Sequence, residues 1–85
     1  MRVLFTPTAW EDYTWWQETD RKLCKRLNRI IKDIRRSPFE GIAKPEPLKG
    51  TYSGFWSRRL TEEHRIIYRV RDDAVEIVAC RGHYT

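Results

Sequence analysis

The spacing of apolar and polar residues divides the chain into six elements. Two segments repeat their apolar residues at helical spacing, and four shorter segments show the β-branched, aromatic or alternating patterns of strands. The predicted elements, in order, are a strand at 2–5, helices at about 9–19 and 21–36, and strands at 54–60, 64–71 and 74–81. This order predicts a single α+β domain over residues 1–85, with the topology βααβββ.

The predicted fold places two helices on a sheet. The second helix has one continuous apolar stripe, formed by Leu23, Leu27, Ile30, Ile31 and Ile34. Short turns separate the last three strands, so these strands should run antiparallel. We therefore expect two N-terminal helices packed on one face of a twisted antiparallel sheet.

Both helices have recognisable ends. Thr8 and Glu11 have the spacing of a capping box, which predicts that the first helix begins directly after Thr8. Asp20 can cap the second helix. Ser37-Pro38 should end that helix, because proline disfavours helical geometry in the residue before it.

Alternation assigns the two sides of each strand. The strand at 64–71 places Ile66, Tyr68 and Val70 on one side and its arginines on the other. If the helices cover the apolar side, the arginines project from the open side of the sheet. The preceding strand can present either of two sets there: Phe55, Ser57 and Arg59, or Trp56, Arg58 and Leu60.

Trp15 lies apart from the apolar side of the first helix. Ala9, Tyr13 and Trp16 share that side at helical spacing. A large aromatic side chain elsewhere on the helix needs another partner. Either a neighbouring loop covers Trp15 or it contacts another protein.

Positive charge is concentrated in the second helix. The chain has 17 lysine and arginine residues against 12 acids, a net charge of +5, which favours a polyanionic partner. Residues 21–36 hold eight of those basic residues and one acid, Asp33. The basic side chains centred opposite the apolar stripe are Lys22, Lys25, Arg26, Arg29, Lys32 and Arg36. They form either an ordinary solvated face or a track for nucleic-acid phosphates.

The composition excludes several classes of protein. No apolar run approaches the roughly 20 residues of a membrane-spanning helix or the core of a signal peptide, so we expect a cytoplasmic protein without membrane contact. Cys24 and Cys80 lack metal-site spacing, which favours buried, reduced thiols. The sequence contains no phosphate-binding glycine loop and no nucleophile elbow. We expect no metal and no cofactor.

Two residues are candidates for proton transfer. His83 lies after Gly82, outside the regular strands, and either titrates near neutrality at a site or is a solvated side chain. Glu46 lies between two prolines, which restrict the backbone that carries its carboxylate, although a surface glutamate in a turn is the alternative. His64, the other histidine, begins a strand directly after a turn and is more typical of a structural residue.

Glutamate, histidine and arginine together suffice for RNA cleavage without a metal. A base takes the proton of the ribose 2′-hydroxyl, the oxygen attacks the adjacent phosphorus, and an acid protonates the departing 5′-oxygen. Cations stabilise the extra negative charge on the phosphate.

Five motifs carry a resemblance to a known family. They are WQETD at 16–20, SPFEG at 37–41, KPEPLK at 44–49, SGFWSRR at 53–59 and ACRGHY at 79–84. In the same order and along nearly the whole chain, these motifs resemble the YoeB/Txe toxins of the RelE superfamily. The chain departs from the family pattern at its end, where Gly82 precedes the His-Tyr pair and Thr85 follows it.

The resemblance implies a microbial-ribonuclease-like fold and a ribosome-dependent endoribonuclease that cleaves mRNA in the ribosomal A site. It further implies a type II toxin that forms a homodimer and is neutralised by a YefM/Phd-type antitoxin. Operator DNA would be bound only through the complex with that antitoxin.

The resemblance also implies roles for individual residues. Matched by position, Glu46 is the general base, His83 the general acid, Arg65 the arginine at the phosphate, Tyr84 an aromatic that orders the site, and Lys49 and Arg59 supporting basic residues.

Two other functions stay possible on sequence alone. The chain could be a non-catalytic basic module that binds RNA or DNA through its second helix and the open face of the sheet. It could instead be a degenerate toxin that serves as an antitoxin partner and co-repressor. For a protein that binds nucleic acid, the predicted phosphate contacts on the second helix are Lys22, Lys25, Arg29 and Lys32.

Overall fold

The computed structural model of the chain describes residues 1–82. Its elements are β1 (Arg2–Phe5), α1 (Pro7–Thr19), α2 (Arg21–Arg36), β2 (Glu46–Pro47), a 3₁₀ turn (Gly50–Tyr52), β3 (Trp56–Arg59), β4 (Arg65–Arg71) and β5 (Ala74–Ala79).

The strands form one sheet in the order β1-β5-β4-β3-β2, and both helices pack on one of its faces. β3, β4 and β5 are antiparallel neighbours, as their short connections predicted. Buried side chains of α1, α2, β4 and β5 form a common apolar core. The predicted α+β fold with two helices on a sheet is therefore confirmed.

The sheet is mixed, whereas the sequence analysis expected an antiparallel one. β1 runs parallel to β5, with Val3 opposite Val75 and Phe5 opposite Ile77. No hairpin joins these two strands, so no turn fixes their relative direction. The sequence analysis also missed β2, because two residues are too few to show a period-two pattern.

α1 begins earlier than predicted. The N-cap is Thr6 rather than Thr8, and its hydroxyl accepts a hydrogen bond from the Ala9 N–H at 3.1 Å. Pro7 then occupies the first turn, where its missing N–H has no intrahelical partner to lose and its fixed φ suits the helix. Asp20 caps the start of α2 as predicted, and its side chain accepts from the Leu23 N–H.

Strand register decides which side of β3 faces the core. Arg58 lies opposite Ile66, a fully buried core residue, so this side of β3 faces the helices. Ser57 and Arg59 face the open side, where Arg59 lies opposite Arg65. Of the two sets that the sequence allowed, the one with Ser57 and Arg59 therefore faces the open side. Arg58, from the other set, enters the core.

Arg58 is fully buried and uses all five of its side-chain N–H groups. Its Nε donates to the Tyr68 hydroxyl at 3.1 Å, and its Nη1 donates to Asp33 Oδ2 at 2.8 Å. The remaining donors reach the main-chain carbonyls of Ser37, Glu40 and Ile42, at 2.8, 3.0 and 2.8 Å. A buried charge is tolerated only when it is paired and hydrogen-bonded, and this one is both.

The carbonyls that bind Arg58 belong to the loop between α2 and β2. Tyr68 donates its hydroxyl to the Pro38 carbonyl of the same loop at 2.6 Å. Asp33 accepts the Ile42 N–H at 3.0 Å, and Gly41 passes so close that a Cβ there would lie 2.0 Å from Asp33 Oδ2. The loop is therefore tied to α2, β3 and β4 before it reaches β2.

Replacing Asp33 with asparagine should leave the buried Arg58 charge uncompensated. Removal of one partner of a buried ion pair destabilises by about 3–5 kcal/mol, so we expect Asp33→Asn to lower the free energy of unfolding by that amount at pH 7. Urea denaturation measures it. Asp72→Asn is the control, because Asp72 is exposed in a turn with a positive φ that asparagine tolerates.

The same ion pair makes the stability depend on acidic pH. The hydrogen bond from Arg58 lowers the pKa of Asp33 from 3.8 to about 2. A lowered folded-state pKa stabilises the protein above pH 4, and that contribution, about 2 kcal/mol, is lost as the pH falls towards 2. The difference between wild type and Asp33→Asn should therefore shrink below pH 4. A difference that is small at pH 7, or constant with pH, would contradict this assignment.

Candidate active site

Three of the predicted site residues lie together at the open side of the sheet. Glu46 on β2, Arg59 on β3 and Arg65 on β4 line a hollow of about 310 Å³. The strand register explains why these residues lie together. Glu46 lies opposite Ser57 of β3. Arg59 follows two residues later on β3 and lies opposite Arg65 of β4. The other lining residues are Lys44, Pro45 and Ser57.

The segment that carries Glu46 is fixed on both sides. The Ala43 carbonyl accepts the Arg59 N–H at 2.7 Å, and the Leu48 N–H donates to the Phe55 carbonyl at 2.9 Å. Ala43 and Lys44 both have a positive φ, 62° and 55°, which costs of order 1 kcal/mol for each non-glycine residue. Residues held in such conformations concentrate at functional sites, which agrees with the prediction for Glu46.

Arg65 is held at the edge of the hollow by the loop before β4. Its Nη1 lies 2.8 Å from the Thr61 carbonyl and 3.0 Å from the Glu62 carbonyl. Arg59 Nη1 lies 3.5 Å from Glu62 Oε1, a weak pair because the glutamate is 90% exposed. With Lys44, the hollow holds three cationic side chains and the single carboxylate of Glu46, so it favours an anionic ligand.

The chain after β5 runs alongside the first residue of β4. The Gly82 carbonyl accepts the Arg65 N–H, and the Gly82 N–H donates to His64 Nδ1, each at 2.8 Å. Gly82 directly precedes His83 in the sequence. His83 and Tyr84 themselves lie outside the described residues, so their roles stay predictions.

The remaining predicted cations lie elsewhere. Lys49 is exposed just before the 3₁₀ turn and is not among the residues that line the hollow. The four predicted phosphate contacts on α2, Lys22, Lys25, Arg29 and Lys32, are all exposed. Arg29 and Lys32 border a second, larger hollow of about 670 Å³ near the N-terminus.

Two side chains of the helices make contacts that the sequence did not predict. Arg26, assigned to the basic face, is half-buried, and its Nε donates to the Leu60 carbonyl at 2.8 Å. Trp15, which lacked a partner, packs against the guanidinium of Arg81, 3.8 Å from the ring centre, and stays 37% exposed. Neither contact could be read from helical periodicity, because both depend on where the strands end.

Sequence reasoning missed the buried residues that hold the site in place. The sequence analysis leaves Arg58 in one of two alternative sets for the open side of the sheet and notes Asp33 only as the single acid of residues 21–36, since an isolated charge in an apolar pattern gives no sign of its partner. For His64 the structure adds the partner, since its Nδ1 accepts the Gly82 N–H. The sequence did offer one signal. Arg58 lies two residues after Trp56, so in a strand both side chains point to the same side, and Trp56 packs against the core.

Residues 1–82 contain neither a metal-binding cluster nor a helix that could span a membrane. No group of three or more histidine, cysteine, aspartate or glutamate side chains is arranged there to hold a metal ion. In the same residues, neither helix has the length and apolar character needed to cross a membrane.

Comparison with known proteins assigns the family. A family model described as the YoeB-like toxin of bacterial type II toxin-antitoxin systems matches residues 5–84. The chain belongs to this toxin family. Toxin YoeB from Escherichia coli O6:H1 is 58% identical over 84 residues, which are 99% of this chain and 100% of that protein. The resemblance seen in the motifs is confirmed.

Solved structures of YoeB toxins superpose closely on this one. A YoeB/ParE toxin from Agrobacterium tumefaciens is 45% identical, with a TM-score of 0.95 over 99% of this chain and 100% of that one. YoeB from Staphylococcus aureus is 42% identical, and its dimer structure gives a TM-score of 0.90 over 99% of this chain and 98% of that one. A heterotetrameric YoeB-YefM complex from the same species gives a TM-score of 0.89, with the same coverage.

Cys80, directly after β5, should be inert in the folded toxin. Cys24 and Cys80 are free and buried, as predicted. Burial, together with the charge of Asp12, raises the pKa of the Cys80 thiol from 9.0 to about 12, so the thiol stays protonated at pH 8.5. Because only the thiolate is nucleophilic, we expect alkylation of Cys80 by iodoacetamide to be on the order of a thousandfold slower in the native protein than in urea. Mass spectrometry of the Cys80 peptide measures both rates, and equal rates would contradict the burial.

Proposed function

We propose that this toxin is an endoribonuclease that cleaves mRNA in the ribosomal A site and thereby stops translation. The observation that carries the proposal is the convergence of Glu46, Arg59 and Arg65 in one hollow, with Gly82, the residue before His83, bonded to the Arg65 main chain. Glu46 is the general base, His83 the general acid, and Arg65 contacts the reacting phosphate.

The reaction needs a base, an acid and a cation within reach of one phosphate. Glu46 removes the proton of the ribose 2′-hydroxyl, and the oxygen then attacks the adjacent phosphorus in line. His83 gives a proton to the departing 5′-oxygen. Bond breaking thus leaves a 2′,3′-cyclic phosphate on one fragment and a 5′-hydroxyl on the other, without a metal or cofactor.

The cations of the hollow support the transition state. Negative charge grows on the phosphate oxygens as the 2′-oxygen attacks, and fixed donors stabilise that charge without having to reorganise. Arg65 is fixed by main-chain carbonyls and Arg59 lies beside it. We assign Lys49 a weaker, supporting contact with RNA, and Tyr84 the ordering of the substrate.

A hollow of this size encloses little of an mRNA, and the ribosome would supply the remaining alignment. The exposed basic side chains of α2 are suited to phosphates of ribosomal RNA, because contacts of this kind release counterions and do not require a base sequence. We assign docking on the ribosome to Lys22, Lys25, Arg29 and Lys32.

Protein partners are proposed from the relatives. The S. aureus relative forms a dimer and a heterotetramer with YefM. By analogy, we assign this toxin a homodimeric state, neutralisation by a YefM/Phd-type antitoxin, and contact with operator DNA only within that complex. Translating ribosomes place its activity in the cytoplasm.

Substitution of the base or the acid should stop cleavage but leave ribosome binding intact. We expect Glu46→Gln and His83→Ala each to lower the cleavage rate by about 10²- to 10⁴-fold, because each removes one proton transfer. Mapping of message ends in a translating extract gives the rates and the end chemistry. The same message incubated with the toxin but without ribosomes shows whether cleavage requires them. Co-sedimentation with ribosomes gives binding, and Glu40→Gln is the control, an exposed glutamate six residues before Glu46.

The end chemistry separates this proposal from its rivals. The wild type should leave 5′-hydroxyl ends and 2′,3′-cyclic or 3′-phosphate ends. Products with 5′-phosphates, or an absolute magnesium requirement, would overturn the mechanism. A wild type that binds ribosomes but cuts no message would indicate a non-catalytic module or a degenerate toxin.

Reversal of charge on α2 should weaken docking and its salt dependence. Each phosphate contact contributes about 0.7–0.9 to the slope of log affinity against log salt, so Lys25→Glu, Arg29→Glu and Lys32→Glu together should reduce the slope by about 2–3. Ribosome binding is measured at several potassium concentrations. Arg71→Glu, in an exposed position at the end of β4, is the control for a charge reversal outside α2 and should leave the slope unchanged. An unchanged slope in the triple variant would identify the basic face as merely solvated.

A further inference from the structure

The chain directly after β5 is held by side chains of α1. β5 ends at Ala79, and the Cys80 N–H donates to Asp12 Oδ2 at 3.0 Å. The Cys80 carbonyl accepts a hydrogen bond from Trp16 Nε1 at 2.9 Å. Two side chains of α1 therefore take over the main-chain bonds of β5 where the strand stops.

His64 fixes the chain two residues later, at Gly82. Its Nδ1 accepts the Gly82 N–H at 2.8 Å, and its ring lies edge-on to Trp16 with 4.8 Å between ring centres. A ring nitrogen that accepts a main-chain N–H carries no proton, so the neutral ring carries its proton on Nε2. The ring is thus fixed by packing on one side and by the Gly82 amide on another.

The bond from His64 acts at a bend in the main chain. Gly82 has a φ of +74°, in the left-handed region that glycine enters without steric cost. Its N–H is bound to the His64 side chain, and its carbonyl accepts the N–H of Arg65, the next residue after His64. Both hydrogen-bonding groups of Gly82 are therefore tied to the start of β4, which also carries the arginine of the candidate active site.

We propose that His64 is a positioning residue for the toxin's reaction, acting through the Gly82 amide. It sets the place and direction in which the chain leaves the sheet towards His83, relative to Arg65. This inference rests on the proposed function, because it matters for activity only if residue 83 supplies the acid. It assigns no proton transfer to His64 itself.

A small displacement of a reacting group strongly lowers the reaction rate. A displacement of about 1 Å in a reacting group can lower the rate about 100-fold even when the substitution lies away from the chemistry. Substrate binding depends mainly on the basic side chains of the sheet and α2. Of these, Arg65 Nη1 lies 3.4 Å from the His64 carbonyl, a main-chain group that substitution of the His64 side chain retains. Loss of the His64–Gly82 bond should therefore lower kcat and leave KM nearly unchanged.

Three substitutions separate the hydrogen bond from the ring. His64→Phe keeps an aromatic ring against Trp16 but has no acceptor for the Gly82 N–H. His64→Asn loses the ring but keeps an acceptor oxygen at the position of Nδ1. His64→Gln has the same amide one bond farther along the side chain. Val70→Ala is the control for lost stability, because Val70 is partly buried against the core about 17 Å along β4 from Arg65.

The variants are compared in message cleavage on ribosomes and in amide hydrogen exchange of Gly82 followed by NMR. We expect His64→Phe and His64→Gln to lower kcat by about 10- to 100-fold, with KM changed less than about threefold. Both should lose about tenfold or more of the protection of the Gly82 amide. His64→Asn should retain that protection and a kcat within about threefold of wild type, whereas Val70→Ala should lose stability alone.

The outcomes distinguish this inference from the proposed function. A wild type that does not cleave messages overturns the proposed function, whatever the exchange data. If the wild type cleaves and His64→Phe or His64→Gln has an unchanged kcat, the positioning role is wrong. The inference is also wrong if His64→Asn lowers kcat as much as His64→Phe does while the Gly82 amide stays protected from exchange. His64 would then act directly in proton transfer, because asparagine cannot transfer a proton there.

Discussion

The burial of one positive charge organises this small protein. Arg58 is enclosed on the core side of the sheet, where an unpaired guanidinium would cost far more than a domain of this size can supply. Asp33 neutralises it, and Tyr68, whose pKa is raised mainly by burial, stays protonated to donate to the loop at Pro38. Several elements must therefore come together at once for the charge to be satisfied.

That requirement links the core to the candidate active site through one strand. On β3, Arg58 points inward and its neighbours Ser57 and Arg59 point outward into the hollow. The carbonyls around Arg58 also fix the loop that leads to Glu46. Glu46 and the cations of the candidate site are thus placed by the same bonds that stabilise the fold, and this placement leaves them little freedom to move apart.

Periodicity predicted the elements well, because amphipathic helices and alternating strands bury a repeating side. It could not predict that β1 runs parallel to β5, nor the two residues of β2, since both features depend on pairing between distant segments. Of the site, the sequence singled out Glu46, Arg59 and Arg65, and the structure brings these three together. The partners of Arg58 and His64 could not be predicted, because a polar residue in a strand pattern does not reveal the group that satisfies it.

β2 is one of the two edge strands of the sheet, and open sheet edges attract strands from other molecules. Pro45 and Pro47 have no N–H to offer to such a strand, and the Leu48 N–H is already bonded inward to Phe55. The prolines that hold Glu46 in place therefore also protect this border from self-association into fibrils. A short, donor-poor edge leaves the Glu46 carboxylate exposed while denying a backbone template to another polypeptide.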